Sequence, residues 1–328
     1  MNNFFCRNAL AAVAACSISL GATPSQAADY PSRPISIVVG YPAGGSVDFT
    51  ARAFGEALAE RLGQSVIIEN SGGAGGTIGA NRVARAAADG YTLLVGSTNE
   101  MVIAGMINSA VRYDGLKDFT PIGMIAAQPM MLAAAKGAGV TNAAQYLEKL
   151  RNGRRGEYTF GSSGVGTALH LAGEMINAST QTQAEHIPYR GVAPLLTDLI
   201  GGQLDYGVFV MSSGLPQVTS GKIIALGVTE ARRSPAAPDI PALAETPGFE
   251  KVDINVWFGL YGPAGLPDDV MAVLSKALNE VLQQEEFRKR LAASGATLYE
   301  PGMDAKAFQV AETRKYAGLV EMAKIERQ

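Results

Sequence analysis

From Tyr30 onward, short apolar runs of strand length alternate with stretches of helical period. Ile35–Val39 is a continuous apolar run. Phe54, Leu58 and Leu62 then fall at i, i+4 and i+8, one face of a helix that Gly63 stops. Val66–Glu69 predicts a second strand, followed by a glycine-rich loop at 70–77 and an alanine-rich helix to Ala88. Asp89-Gly90 turns the chain into a third strand, Tyr91–Val95. This order predicts a parallel α/β sheet with right-handed crossovers.

Two apolar runs, 118–126 and 130–134, are broken at Gln128-Pro129. Proline has no N–H to give a central ladder, so the pattern predicts a strand that leaves one lobe and enters another. The alternation then repeats. Helices are expected near 142–151, from Thr167 and over 192–200, and strands at 158–160, 185–187, 205–210 and 222–228. A proline-rich connection at 234–241 precedes a long strand, 252–261, that carries Trp257 and crosses back. Three helices finish the chain, the first opening at Asp268-Asp269. The expected organisation is a signal segment at 1–27, a first lobe at 28–127 completed by 254–328, and a second lobe at 128–253. Two lobes joined by two crossing segments form a hinge-closing binding protein.

Composition narrows this picture. With 47% apolar and 17% charged residues the chain is an ordinary globular one, and 328 residues suit two cores better than one. A net charge of −3, with no Lys/Arg stripe, sets nucleic acid aside as a partner. Arg7, the apolar run 9–20 and Ser25-Gln26-Ala27 read as a cleavable export signal, so the mature chain is expected to begin near Ala28 in the periplasm. Lipoprotein processing at Cys16 ranks second. Cys6 and Cys16 both lie in that segment, which leaves the mature chain no thiol. His170 and His186 alone are too little for a soft metal site, so no metal or cofactor is expected.

Two glycine loops carry the candidate chemistry. Gly40-Tyr41-Pro42-Ala43-Gly44-Gly45-Ser46-Val47-Asp48 joins the first strand to its helix, where bare backbone N–H groups favour an anion. Gly161-Ser162-Ser163-Gly164-Val165-Gly166-Thr167 does the same in the second lobe and adds three hydroxyls. Its bland alternative is a glycine turn with a Thr N-cap. Thr98 and Asn99 follow the third strand at the carboxyl edge of the sheet, where open α/β sheets bind ligands, and Met211 sits at the corresponding edge in the second lobe. Tyr189 and Gly191 end the run from His186 and face the same region. Asp48 reads as a start-of-helix charge, or as an acceptor for a cleft water or ligand amine. His170 reads first as a partner of Glu174, one turn on, and second as a ligand contact. Several enzyme motifs fail on spacing. Val165 stands where a nucleophile elbow needs glycine, Ile78 where a dinucleotide fingerprint needs it, and no P-loop lysine follows a glycine run.

Together these stretches resemble the periplasmic solute-binding receptors of tripartite tricarboxylate transporters, the Bug family. The resemblance rests on Tyr30-Pro31-Ser32-Arg33-Pro34-Ile35, Tyr41–Asp48, Glu69-Asn70 with Gly73–Gly76, Gly161–Gly164, His186–Gly191, Leu199–Asp205 and Gly262–Gly265. It implies a type II, Venus-flytrap fold and a monomer that hands a small organic carboxylate to an inner-membrane permease without chemistry. It also implies a carboxylate gripped by Tyr41–Ser46 and Ser162–Thr167, often through ordered waters. Ser71-Gly72 departs from the Arg-Pro or Lys-Pro more usual after Glu-Asn. The competing readings are a secreted hydrolase or isomerase using Ser163 or His170, and a periplasmic sensor component.

Overall fold

The computed structural model describes residues 30–325 except 155, together with 327. The export signal and both cysteines lie outside the described residues. The elements run β1 (Ile35–Val39), α1 (Ser46–Leu62), β2 (Val66–Asn70), α2 (Thr77–Ala84), β3 (Thr92–Ser97), α3 (Ala104–Ile107), β4 (Phe119–Ala135), α4 (Ala143–Asn152), β5 (Thr159–Ser162) and α5 (Ala168–Thr180). They continue as β6 (Glu185–Pro188), α6 (Val192–Ile200), β7 (Tyr206–Val210), α7 (Met211–Thr219), β8 (Ile223–Val228), β9 (Asn255–Pro263), α8 (Asp268–Gln283), α9 (Glu285–Ala293), β10 (Thr297–Leu298) and α10 (Ala305–Met322).

Most elements follow from their own residues. α1 buries Ala51, Phe54 and Leu58, and it ends where Gly63 takes a left-handed φ of 63°. α2 stops at Ala84, short of the expected Ala88. Ala86 N closes a tight turn onto Val83 O, and Tyr91 N donates to Asp89 Oδ1 at 3.1 Å, so the Asp-Gly turn takes the chain before alanine propensity can extend the helix. α7 has no counterpart in the sequence pattern, because Ser212, Ser213, Gly214 and Pro216 are loop residues by propensity. Packing overrides them: Gly214 lies so close to Met131 and Phe209 that a Cβ would meet Met131 Cε at 2.4 Å. A π-helical turn, Asn99–Ile103, also goes unannounced.

The strands form one sheet in the order β2-β1-β3-β9-β4-β7-β5-β6, with β8 and β10 also on β4. β1, β2 and β3 are parallel, as are β5, β6 and β7. β4 is the spine of two lobes. It pairs antiparallel with β9 as far as Pro129 opposite Asn255. From Met130 on it pairs with β7 and β8 instead. Pro129, which has no donor, sits where the ladder changes partners. Thr229 stitches the two crossing segments: its N donates to Met130 O at 2.8 Å, and its O accepts from Ile254 N at 3.0 Å. The fold is a two-lobe α/β structure.

Candidate ligand-binding cleft

A cleft of about 1200 Å³ opens along the carboxyl ends of the parallel strands of the two lobes. That edge is where the following helices begin, so helix N-termini face it. Gly45–Val47 of α1, Thr167–Leu169 of α5, Gly191–Pro194 of α6 and Ser212-Ser213 of α7 all line it. The starts of α1, α6 and α7 carry no side-chain cap bond. Their first amides and positive dipole ends are therefore available to an anion. Among the described residues Arg190 is the one charged side chain on the lining, and it is exposed.

The first-lobe loop is held from behind. Asp48 is buried, and its Oδ2 accepts from Gly44 N at 2.9 Å and from Arg52 Nε at 3.0 Å. Asn70 Nδ2 donates to Asp48 Oδ1 at 2.9 Å and to Tyr41 O at 3.0 Å. Burial pushes the Asp48 carboxyl up, but the bonds from Arg52, Gly44 and Asn70 outweigh it and leave its pKa below the usual carboxylate value. Asp48 thus acts as a staple for the loop, not as a cleft group.

The second-lobe loop rests on a pair of stacked imidazoles. The His170 and His186 rings lie 3.7 Å apart and 15° from parallel. His186 Nε2 is 2.7 Å from Ser162 Oγ, and His170 Nδ1 accepts from Gly166 N at 3.0 Å. Burial lowers the His170 pKa to about 4, and burial with the neighbouring ring lowers His186 to about 3. Both rings are neutral, which lets His170 Nδ1 accept. Glu174 lies 3.7 Å from His170 Nε2, the partner expected from the sequence. Thr167 caps α5 by accepting from His170 N, and its hydroxyl donates to Gly164 O at 2.9 Å. Of the loop's three hydroxyls, Ser162 and Thr167 are engaged within the loop, while Ser163 lines the cleft.

Of the candidate residues, the structure brings Tyr41, Ala43, Gly44, Gly45, Ser46, Asn99, Ser163, Gly166, Thr167, Tyr189 and Gly191 to the cleft wall. Asp48, Thr98, Ser162, His170 and Met211 lie behind it. Thr98 is fully buried, and its Oγ1 accepts from Trp257 N at 2.9 Å. Met211 packs on Gly295, and Trp257 is core. The start of α6 adds Val192, which the sequence reading left out, and at the start of α7 it is Ser212 and Ser213 of the Met211-Ser212-Ser213 run, not Met211, that line the cleft. Gly191, one residue before it, was the available signal for Val192. Asn99 joins the lobes: its Oδ1 accepts from Ala168 N at 2.6 Å and its Nδ2 donates to Tyr41 Oη at 2.9 Å.

A sequence model described as "Tripartite tricarboxylate transporter family receptor" matches residues 50–323, most of the chain. The chain belongs to this receptor family. It is similar to BugT of Bordetella pertussis, 33% identical over 307 residues that span 91% of this chain and 92% of BugT. Among solved structures, it resembles R. palustris Rpa4515 with adipate, at a TM-score of 0.86 and 30% identity over 91% of this chain and 99% of that one. It also resembles MatC of Rhodopseudomonas palustris with bound malate, at 0.81 and 29% over 90% and 100%. Family and neighbours are binding proteins. In this member of the receptor family, no described helix is long and apolar enough to cross a membrane. Of the two residues in the hydrolase or isomerase reading, His170 has its Nδ1 bonded to Gly166 N and its Nε2 3.7 Å from Glu174, while Ser163 lines the cleft.

Proposed function

We propose that the protein is a periplasmic receptor that closes its lobes on a small organic carboxylate and passes it, chemically unchanged, to a tripartite tricarboxylate-type permease. The observation that carries this reading is the uncapped start of α1 on one side of the cleft, facing the uncapped starts of α6 and α7. No Asp or Glu side chain lines the cleft among the described residues, so a carboxylate meets dipole ends, hydroxyls and Arg190 without a like charge on the wall. Charge-assisted hydrogen bonds contribute about 1.5–3 kcal/mol each. Micromolar affinity corresponds to about 8 kcal/mol, which a few such bonds reach after closure and desolvation are offset. Support also comes from the adipate and malate bound by structural neighbours. We infer the same ligand-contact set as above: Tyr41, Ala43–Ser46 and Asn99 from one lobe; Ser163, Gly166, Thr167, Tyr189 and Gly191 from the other.

Thermal-shift and calorimetric titration with mono-, di- and aromatic carboxylates tests the reading. A ligand at about 100 times its Kd stabilises the folded state by about 2.7 kcal/mol, a clear rise in Tm. A folded protein that no carboxylate stabilises would sink the proposal.

A further inference from the structure

Under the first-lobe loop lies a carboxyl group that the cleft itself does not use. Glu100, in the π-helical turn, is 1% exposed. Its Oε1 accepts from Ser97 N at 2.6 Å, and its Oε2 lies 2.6 Å from Ser97 Oγ and 2.8 Å from Tyr41 Oη. Tyr41 Oη has three further neighbours: Asn99 Nδ2, which donates to it at 2.9 Å, Gly75 O at 2.8 Å, and, more distant at 3.5 Å, Ser97 Oγ, whose hydrogen serves the nearer Glu100 Oε2.

The hydrogens do not suffice if Glu100 is ionised. Tyr41 owns one hydroxyl hydrogen, and both Gly75 O and a carboxylate can only accept. One of the two contacts at 2.8 Å would then set oxygen lone pairs against each other. A proton on Glu100 resolves the count: Glu100 Oε2–H donates to Tyr41 Oη, Tyr41 O–H donates to Gly75 O, and Asn99 donates to Tyr41. Every group is satisfied, as a buried network requires.

We propose that Glu100 is a protonated positioning residue whose proton fixes Tyr41 and the Gly75 carbonyl on the cleft wall, and that anion binding is linked to holding this proton. The proposal rests on the carboxylate reading above. An ionised Glu100 would set a negative charge behind Tyr41, a wall residue, and repel an incoming carboxylate. By linkage, a bound anion tightens the Glu100 proton and the proton tightens the anion. The titratable groups facing Glu100 are tyrosines. Tyr41 is one, Tyr113 Oη donates to Glu100 O at 2.8 Å, and Tyr261 lies near enough to feel its charge. Burial raises all three tyrosine pKa values, so they stay neutral. α10, packed on the same turn, presents the Gln309 amide to Met101 O and the buried Tyr316. Burial pushes the Glu100 carboxyl up to about 7, against the bonds from Ser97 and Tyr41.

Two measurements test this. The infrared difference between wild type and Glu100→Gln at pH 6, without ligand, is expected to show one protonated-carboxyl stretch lost in the variant. No such band overturns the proposal. Titration with malate and adipate from pH 6.5 to 8.5, where both probes are almost entirely dianionic, is expected to show wild-type affinity falling, by up to tenfold per pH unit above the Glu100 pKa. Glu100→Gln, whose amide still donates to Tyr41, is expected to bind with no such slope, and Glu100→Ala to bind more weakly throughout. Equal slopes in wild type and Glu100→Gln overturn the linkage. If neither probe nor any other carboxylate binds at any pH, the carboxylate reading fails, and the infrared result still decides the proton.

Discussion

Gly166 lines the cleft, but its amide does not face a ligand. The sequence marks it as a glycine that bares an N–H to a ligand, but that N–H donates to His170 Nδ1. What requires glycine is geometry: φ is +70°, and a Cβ would lie 1.5 Å from Ile107 Cδ1 of the facing lobe. The left-handed backbone alone costs an L-residue about 1–2 kcal/mol. The clash adds to this only when the lobes are together. Gly166→Ala is therefore expected to cost affinity beyond its effect on stability, by about tenfold or more, roughly 1.4 kcal/mol. Adding Ile107→Ala removes the clashing methyl and is expected to restore much of the affinity while leaving the strain. Calorimetric Kd values for the single and double variants decide it. A double variant no better than Gly166→Ala would show that backbone strain, not lobe contact, demands the glycine.

At the scale of elements, the start of α5 is organised by an imidazole stack that the sequence conceals. His170 belongs to the helix and His186 to β6, and only the sheet brings them to 3.7 Å. Each ring has its pKa lowered from an unfolded value of about 6.5, to about 4 and about 3. Stability from the neutral stack is complete above about pH 6.5. It is lost as pH falls below that value, because the unfolded chain binds protons that the native rings refuse. Tm is expected to fall between pH 7 and 5. The slope is expected to correspond to roughly one proton fewer in His186→Gln than in wild type; an unchanged slope would refute the neutral stack. The same contrast governs what could be read in advance. α6 starts and stops where Gly191 and Gly201 said it would, because its boundaries are local. α7 was hidden by Ser-Ser-Gly and Pro216, whose helix depends on packing against β4 and β7. The two glycine loops were legible as loops. The partners of Ser162 and Thr98 were not, since His186 and Trp257 reach them through tertiary structure. The sheet-edge rule placed Thr98 and Met211 at the right edge but could not say that their side chains turn inward.

At the scale of the whole molecule, the question is what holds the lobes together before a ligand arrives. Gln128, fully buried where β4 changes partners, accepts from Ser212 Oγ at 2.8 Å and donates to Ser294 Oγ at 3.1 Å. This tie sits on the crossing strand β4, joining it to the start of α7 and to the turn after α9. Asn99 is different, because its two bonds run from the first lobe's Tyr41 to the first amide of α5 in the other lobe. It seats a neutral carbonyl at the helix N-terminus, as a ligand oxygen would sit, and so favours the closed arrangement without ligand. A net hydrogen bond contributes about 0.5–1.5 kcal/mol, so removing this one shifts the closed-to-open ratio by roughly twofold to tenfold. Asn99→Ala is expected to raise the radius of gyration of the ligand-free protein in small-angle scattering, and a saturating carboxylate to bring it back to the wild-type value. Gln128→Ala is expected to lower Tm, since it removes a fully buried amide and its two hydrogen bonds to Ser212 and Ser294, while the ligand-free radius stays as in wild type. An Asn99→Ala protein as compact as wild type without ligand would show that packing across the cleft, such as Ile107 on Gly166, holds the lobes without this bond.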